Sequence, residues 1–372
     1  MKKYHVMKLS KSTSFRLYRN KMIIQGLFLL LVGVFNSCQK QENNHFPLAE
    51  QYNIDGEQLT LAFDEFKTVE GALSLIVCRE GTIVAEEYTN YKTYGADSIK
   101  SIMSVTKTFT GVLVGLAIDK GYIESVNDPI SKYLTGIVTF PDNTKANITI
   151  DQLLKMSFGH SWNGTSPSSL YNTWATTADH LQYIIDLPLV ATPGTVFNYS
   201  DGASHLLSVI ITEATGINTF DFAKTYLFDP IGITKLQWPK DDKGYPNGAA
   251  SLRITPADMV KFGNLILNKG KYNDQQVIPE SWITTMTTKK ISTNNDVPYG
   301  PEYGYQIWLG SEGGHRYYMA MGWGGQFIIV VPDLQLVVTA TCWTSDLTDQ
   351  QAGEHWMSIN QIIFEKILPY VY

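Results

Sequence analysis

The chain has 372 residues, 44% hydrophobic and 17% charged, an ordinary globular composition that suffices for one large domain or two closely packed ones. Its net charge of -6 hides an asymmetry: the first 37 residues carry seven basic side chains and no acidic one, leaving 22 basic against 35 acidic in the remainder. So acidic a body repels nucleic-acid phosphates, and no basic stripe with interleaved aromatics offsets it, which argues against nucleic-acid binding.

The basic start (Lys2, Lys3, Lys8, Lys11, Arg16, Arg19, Lys21) runs into an apolar stretch, Met22 to Phe35, and then Asn36, Ser37 and Cys38. That order is the plan of a secretory signal. The stretch is shorter than the roughly 20 residues a bilayer span needs. A cysteine directly after a small residue at the end of the apolar run resembles a bacterial lipoprotein cleavage site. By that resemblance residues 1–37 are a lipoprotein-type signal peptide, and Cys38 is lipidated and anchors the exported chain at the periplasmic or cell-surface side of a membrane. Residues 38–55 read as a polar tether.

Residues 56–368 are expected to form the body. Gly56 to Phe66 has helical spacing of Leu59, Phe63 and Phe66, and Ala72 to Arg79 and Thr82 to Tyr88 read as strands joined by a tight turn at Glu80 and Gly81. A helical pattern follows from Ser104 to Asp119, and residues of about 100–290 are mostly helical segments parted by Gly, Pro and Asn clusters. Strand signals return at Tyr303 to Trp308, His315 to Met321, Gln326 to Val331 and Leu336 to Cys342, before a closing helix over Gln351 to Ile367. Strands at both ends of a helical middle predict an α/β (α+β) fold: an antiparallel sheet flanked by the terminal helices, with the helical region inserted between its strands. Cys78 and Cys342 each sit in an apolar run and read as small core residues, with a disulfide between them left open.

Three short segments carry reactive groups. In Ser104-Val105-Thr106-Lys107 the hydroxyl and the amine are three residues apart, which places them on one helix face, and a neutral amine there is able to activate a serine nucleophile. The spacing alone is weak, since Ser37 to Lys40 repeats it inside the export signal. Tyr199-Ser200-Asp201 stands ahead of a helical run from His205 to Ala214, where a phenol can act as acid or base. Gly322-Trp323-Gly324-Gly325-Gln326 opens a strand, and its glycines allow close backbone approach.

Together, in this order, these segments resemble the three motifs of serine hydrolases of the class C β-lactamase and penicillin-binding-protein type. Gly121 to Leu134, Ile148 to Gly159, Leu252 to Gly270 and Tyr303 to Trp308 extend the likeness. The resemblance implies a β-lactamase/transpeptidase-like fold, Ser104 as nucleophile, Lys107 and Tyr199 as proton carriers, the amides of Ser104 and Gln326 as oxyanion donors, and Asp201, Trp323, Gly324 and Gly325 against the substrate. Two departures bear on what is cleaved. Trp323 stands where lactamases and peptidases of the family carry a lysine or histidine, and Asp201 replaces an asparagine; the Trp-Gly-Gly form is similar to esterases and relatives of 6-aminohexanoate-dimer hydrolase. The expectation is therefore a small-molecule ester or amide hydrolase. A D-alanyl-D-alanine carboxypeptidase or β-lactamase is the alternative, and a catalytically silent binding or sensor protein a second. Trp162, Tyr171 and Trp174 are candidates for one cleft wall. No cofactor is called for, and His160, His180, His205 and His315 lack metal-ligand spacing, so no metal is expected.

Overall fold

The computed structural model describes residues 46–162, 170–293 and 297–372. The export segment, Cys38 and the Ser37 to Lys40 repeat lie outside them. Helix α1 (Pro47–Gln51) is followed by α2 (Gly56–Thr68), whose first turn is capped by the Asp55 carboxylate accepting from the Gln58 amide at 2.9 Å. The packed body thus includes residues ahead of position 56: Ala49 is wholly buried and the Phe46 ring lies 4.5 Å from that of Phe63. More than half of what the sequence reads as a tether is part of the fold, because Phe46, Ala49 and Ile54 pack against the core.

Strands β1 (Ala72–Arg79) and β2 (Thr82–Tyr88) form the expected hairpin, with Glu80 and Gly81 both in the left-handed region (φ 51° and 78°), as a two-residue turn matched to strand twist requires. The far end of the chain supplies β3 (Ile291–Ser292), β4 (Glu302–Tyr303), β5 (Trp308–Glu312), β6 (His315–Gly322), β7 (Gln326–Val331) and β8 (Leu336–Cys342). They join in one eight-stranded sheet of order β2-β1-β8-β7-β6-β5-β4-β3. Every named pairing in it is antiparallel, and β1 meets β8 from Ala72↔Cys342 to Arg79↔Leu336. Strands β1, β7 and β8 are buried at every position. Helix α2 and the C-terminal helical segment pack together on one side, and a helix over Pro256–Leu267 packs on β1, β7 and β8, so both faces of the central strands are dry and alternation vanishes from their sequence.

Two expectations change. Tyr303 to Trp308 is a hairpin turn rather than a strand: Gly304 N donates to Ile307 O, Tyr303 pairs with Trp308, and Gln306 has φ 58°. Cys78 and Cys342 are both buried free thiols. They lie on adjacent strands, but Cys342 faces Ala72 while Cys78 faces Val337; five residues of strand, about 16 Å, separate them, far beyond disulfide reach.

Candidate active site

Helix α3 (Thr106–Asp119) is entered through a helical turn at Met103–Val105. Ser104 therefore sits at a helix start, where backbone N–H groups have no intrahelical acceptor. Met103, the residue before it, holds φ 49°. The Thr106 hydroxyl fixes this bend by donating to Met103 O at 2.7 Å and accepting from Leu252 N at 3.3 Å.

One turn on, Lys107 is buried to within 1%, and its Nζ meets three oxygens: Ser104 Oγ at 2.8 Å, Asp201 Oδ1 at 2.6 Å and Ala249 O at 2.9 Å. It also lies 4.8 Å from the centre of the Tyr199 ring. Burial by itself would lower the lysine, but the charges of Asp201 and Tyr199 outweigh it and the net direction is upward. Lys107 is an ammonium at neutral pH. Tyr199 is pushed up by burial; the Lys107 charge pulls it down and Asp201 pushes it up again, and its hydroxyl interacts with both Ser104 and Lys107. The phenol that the sequence places 95 residues from the serine thus does share its site.

Tyr199 is aimed by an aromatic box. Its ring stacks on Trp308 at 5.4 Å and meets Tyr303 edge-on at 6.5 Å, with Phe197 packed on both at 5.6 and 5.2 Å. The next residue, Ser200, caps a helix, α4 (Asp201–Thr215), by accepting from Ala203 N. Asp201 is consequently in the first helical turn, where a carboxylate is favoured, facing Lys107. Asn247 shapes the loop that presents Ala249 O, its Oδ1 accepting from the amides of Ala249 and Ala250. Tyr171, on a short helix over Leu170–Ala175, interacts with Asn247 and feels both Asp201 and Lys107. Trp162 and Trp174 are buried to within 2% and stack edge-on; they belong to the core behind this wall.

The third motif lies against the segment that bears Ser104. A Cβ on Gly322 would fall 2.7 Å from Ile102 O and 3.0 Å from Met103 Cβ, so this glycine is what lets the turn lie against the Ser104 segment. Gly324 and Gly325 are buried, with φ 74° and 94°, and added Cβ atoms would meet Thr344 and Cys342, each at 3.0 Å. Both positions are thus fixed as glycine by the packing of the turn. Gln326 is wholly buried, its side chain donating to Cys342 O at 3.0 Å and accepting from Cys342 N at 3.3 Å. Trp323, half-buried beside Gly322, is the motif residue left facing outward. Asp201, expected against the substrate, instead has its carboxylate engaged by Lys107.

Sequence reasoning missed the residues that hold these groups. Gln306 is buried; its Oε1 accepts from Ser204 Oγ at 2.6 Å, its Nε2 donates to Leu153 O and Leu154 O at 3.1 Å, and its carbonyl accepts from Thr108 Oγ1 at 2.7 Å. It clamps α3, α4 and a third helix (Ile150–Leu154) around the Lys107–Asp201 pair. Its position in the Tyr303 to Trp308 segment was visible; its contacts were not.

The chain resembles known proteins over this same body. A 6-aminohexanoate-dimer hydrolase from Paenarthrobacter ureafaciens is 22% identical over 228 residues, 57% of this chain and 56% of that protein, so the chain spans little more than half of that relative. A penicillin-binding protein homologue from Pyrococcus abyssi, octameric in its structure, superposes with a TM-score of 0.66 at 18% identity, over 85% of this chain and 80% of that one. EstCE1, described as a hydrolase with promiscuous acyltransferase activity, does so with 0.65 at 13%, over 84% and 99%. The Beta-lactamase family profile matches residues 62–360. Holding a Ser-x-x-Lys pair and a tyrosine in one buried cluster, the chain belongs to the Beta-lactamase family and is a serine hydrolase of that family.

Proposed function

We propose that the protein cleaves a small ester or amide through an acyl-enzyme on Ser104. The observation that carries this reading is the set of three contacts at Lys107 Nζ. A neutral amine could accept the serine proton, but a carboxylate 2.6 Å away keeps the lysine protonated, and an ammonium has no lone pair. Tyr199 is then the base. Its phenolate takes the Ser104 proton as Oγ attacks the carbonyl, and the phenol returns that proton to the departing alcohol or amine. Lys107, donating to Ser104, orients the nucleophile and steadies the phenolate. The amides of Ser104, at the helix start, and of Gln326, where the turn that Gly322 brings close enters its strand, serve the oxyanion.

An uncharged tryptophan in the third motif favours this reading over a lactamase or peptidase, because it forgoes a charge-assisted bond to a substrate carboxylate worth about 1.5–3 kcal/mol. Incubation with a fluorophosphonate probe and with p-nitrophenyl acetate tests the nucleophile: the wild type is labelled and turns over, and S104A does neither. Labelling that persists in S104A removes Ser104 from the role. We also propose that the protein is exported and lipid-anchored through Cys38. Metabolic labelling with an alkynyl fatty acid is expected to tag the wild type and not C38A.

A further inference from the structure

The turn that carries Trp323 is uncharged, yet two cations stand behind it. Lys100 and Lys92 converge on the Trp343 indole, their Nζ atoms 4.7 and 4.4 Å from its centre, with Tyr94 and Tyr91 completing the enclosure at 5.6 Å from Lys100 and Lys92 respectively. The Tyr94 and Tyr91 rings pack edge-on against Trp343 at 5.3 and 6.2 Å. Only 8% of the Lys100 surface is exposed, and neither lysine has an ion pair or hydrogen bond among the described residues. This is unusual company for a buried ammonium, which is ordinarily paired. Burial pulls Lys100 down to about 8, with Cys342 opposing and the Lys92 charge adding to the shift; no carboxylate contributes.

The cluster is tied to the active site on two sides. Lys100 is four residues before Ser104, so their Cα atoms are at most about 14 Å apart. Trp343 precedes Thr344, whose methyl borders Gly324 beside Trp323. Loop residues Asn90, Lys92 and Thr93 all hold positive φ (56°, 48° and 67°), so Lys92 is held toward the indole by a strained backbone rather than by an acid.

We propose that Lys92 and Lys100, backed by Trp343 and Tyr94, dock an anionic end, a carboxylate, of the substrate whose ester or amide is attacked at Ser104. A buried ammonium and an exposed one, both over aromatic faces and without a counter-charge, gain most from a ligand that carries the missing negative charge, and the aromatic walls suit the methylene chain leading to it. The proposal rests on the reading of Ser104 as nucleophile.

The test compares mono-p-nitrophenyl esters of dicarboxylic acids, from glutaric to sebacic, with the neutral monocarboxylic esters of equal length. In the wild type one chain length is expected to show a KM about tenfold or more below its neutral counterpart. That advantage disappears in K92M/K100M and falls in K92M alone, an exposed position, while KM and kcat for the neutral esters stay within about twofold. No discrimination at any length, or an equal loss for both series, overturns the docking point. If the wild type hydrolyses no ester the catalytic reading fails, and calorimetry with free glutarate and longer dicarboxylates then decides this one: binding lost in K92M/K100M supports it, and none to the wild type overturns it.

Discussion

Four residues other than glycine hold left-handed backbone around the reactive cluster: Met103 before the serine, Met156, Ser251 and Gln306, at φ 49°, 58°, 76° and 58°. Each costs on the order of 1–3 kcal/mol and persists only where its surroundings over-determine it. Met156 O accepts from Asn198 N at 2.7 Å and its sulfur from Ser200 N at 3.3 Å, which anchors the segment bearing Tyr199; Ser251 directly follows the loop that presents Ala249 O. The strain is spent on placing three side chains. Asp201 adds to this through protonation, since its charge pushes both titrating groups upward, against burial for Lys107 and together with burial for Tyr199. In D201N both pKa values fall, so the phenolate forms at lower pH. The rising limb of the kcat/KM–pH profile is expected to move toward acid in D201N, measured on a nitrophenyl ester whose own chemistry is insensitive in that range. An unmoved limb would show that Asp201 does not tune the base.

Helix α3 shows how an element serves the site through what it lacks. Gly111 and Gly115 weaken it by about 1 kcal/mol each relative to alanine, and on a solvent-facing helix replacing them would stabilise. Here an added Cβ at Gly115 would lie 2.2 Å from the Trp282 ring, and one at Gly111 would lie 2.9 Å from Gln306 Cβ. Trp282 also donates to Gly111 O at 3.2 Å. Overpacking wins, and G115A is expected to lose about 1–3 kcal/mol in a urea melt; a gain would mean the indole swings aside freely. The same contrast explains what was legible. The hairpin at Glu80-Gly81 and the helix start at Gly56 follow from local turn chemistry and apolar spacing, while the cap at Thr348 starts the closing helix at Asp349, two residues before the expected Gln351. Ser104, Lys107 and Tyr199 were legible because their side chains and order are distinctive. The turn at Gly304 to Ile307 and the burial of Gln326 were not, because both are decided by partners far along the chain, Leu153 and Leu154 for Gln306 and Cys342 for Gln326.

At the scale of the molecule the two chain ends close the sheet, β1 against β8, and α2 packs with the C-terminal helical segment over it; the inserted region carries buried polar groups of its own. His160 is one whose charge state changes in the acid range. It is wholly buried, stacks on Phe158 at 4.3 Å, and neither ring nitrogen has a hydrogen-bond partner among the described residues. Its backbone carbonyl accepts from Asn198 Nδ2 at 2.8 Å. Burial, helped by the Lys145 charge, lowers the imidazole from 6.5 to about 4. Below about pH 6.5 the unfolded chain binds a proton here that the folded one refuses until about pH 4, so stability falls as pH drops through that window and levels off beneath it. The full loss is about 3 kcal/mol, of which about 2 kcal/mol appears between pH 7 and 5. Phenylalanine preserves the stack and has nothing to titrate. Urea denaturation at pH 7 and pH 5 is therefore expected to show H160F losing about 2 kcal/mol less than the wild type on acidification, whereas equal losses would place the acid sensitivity in the carboxylates instead.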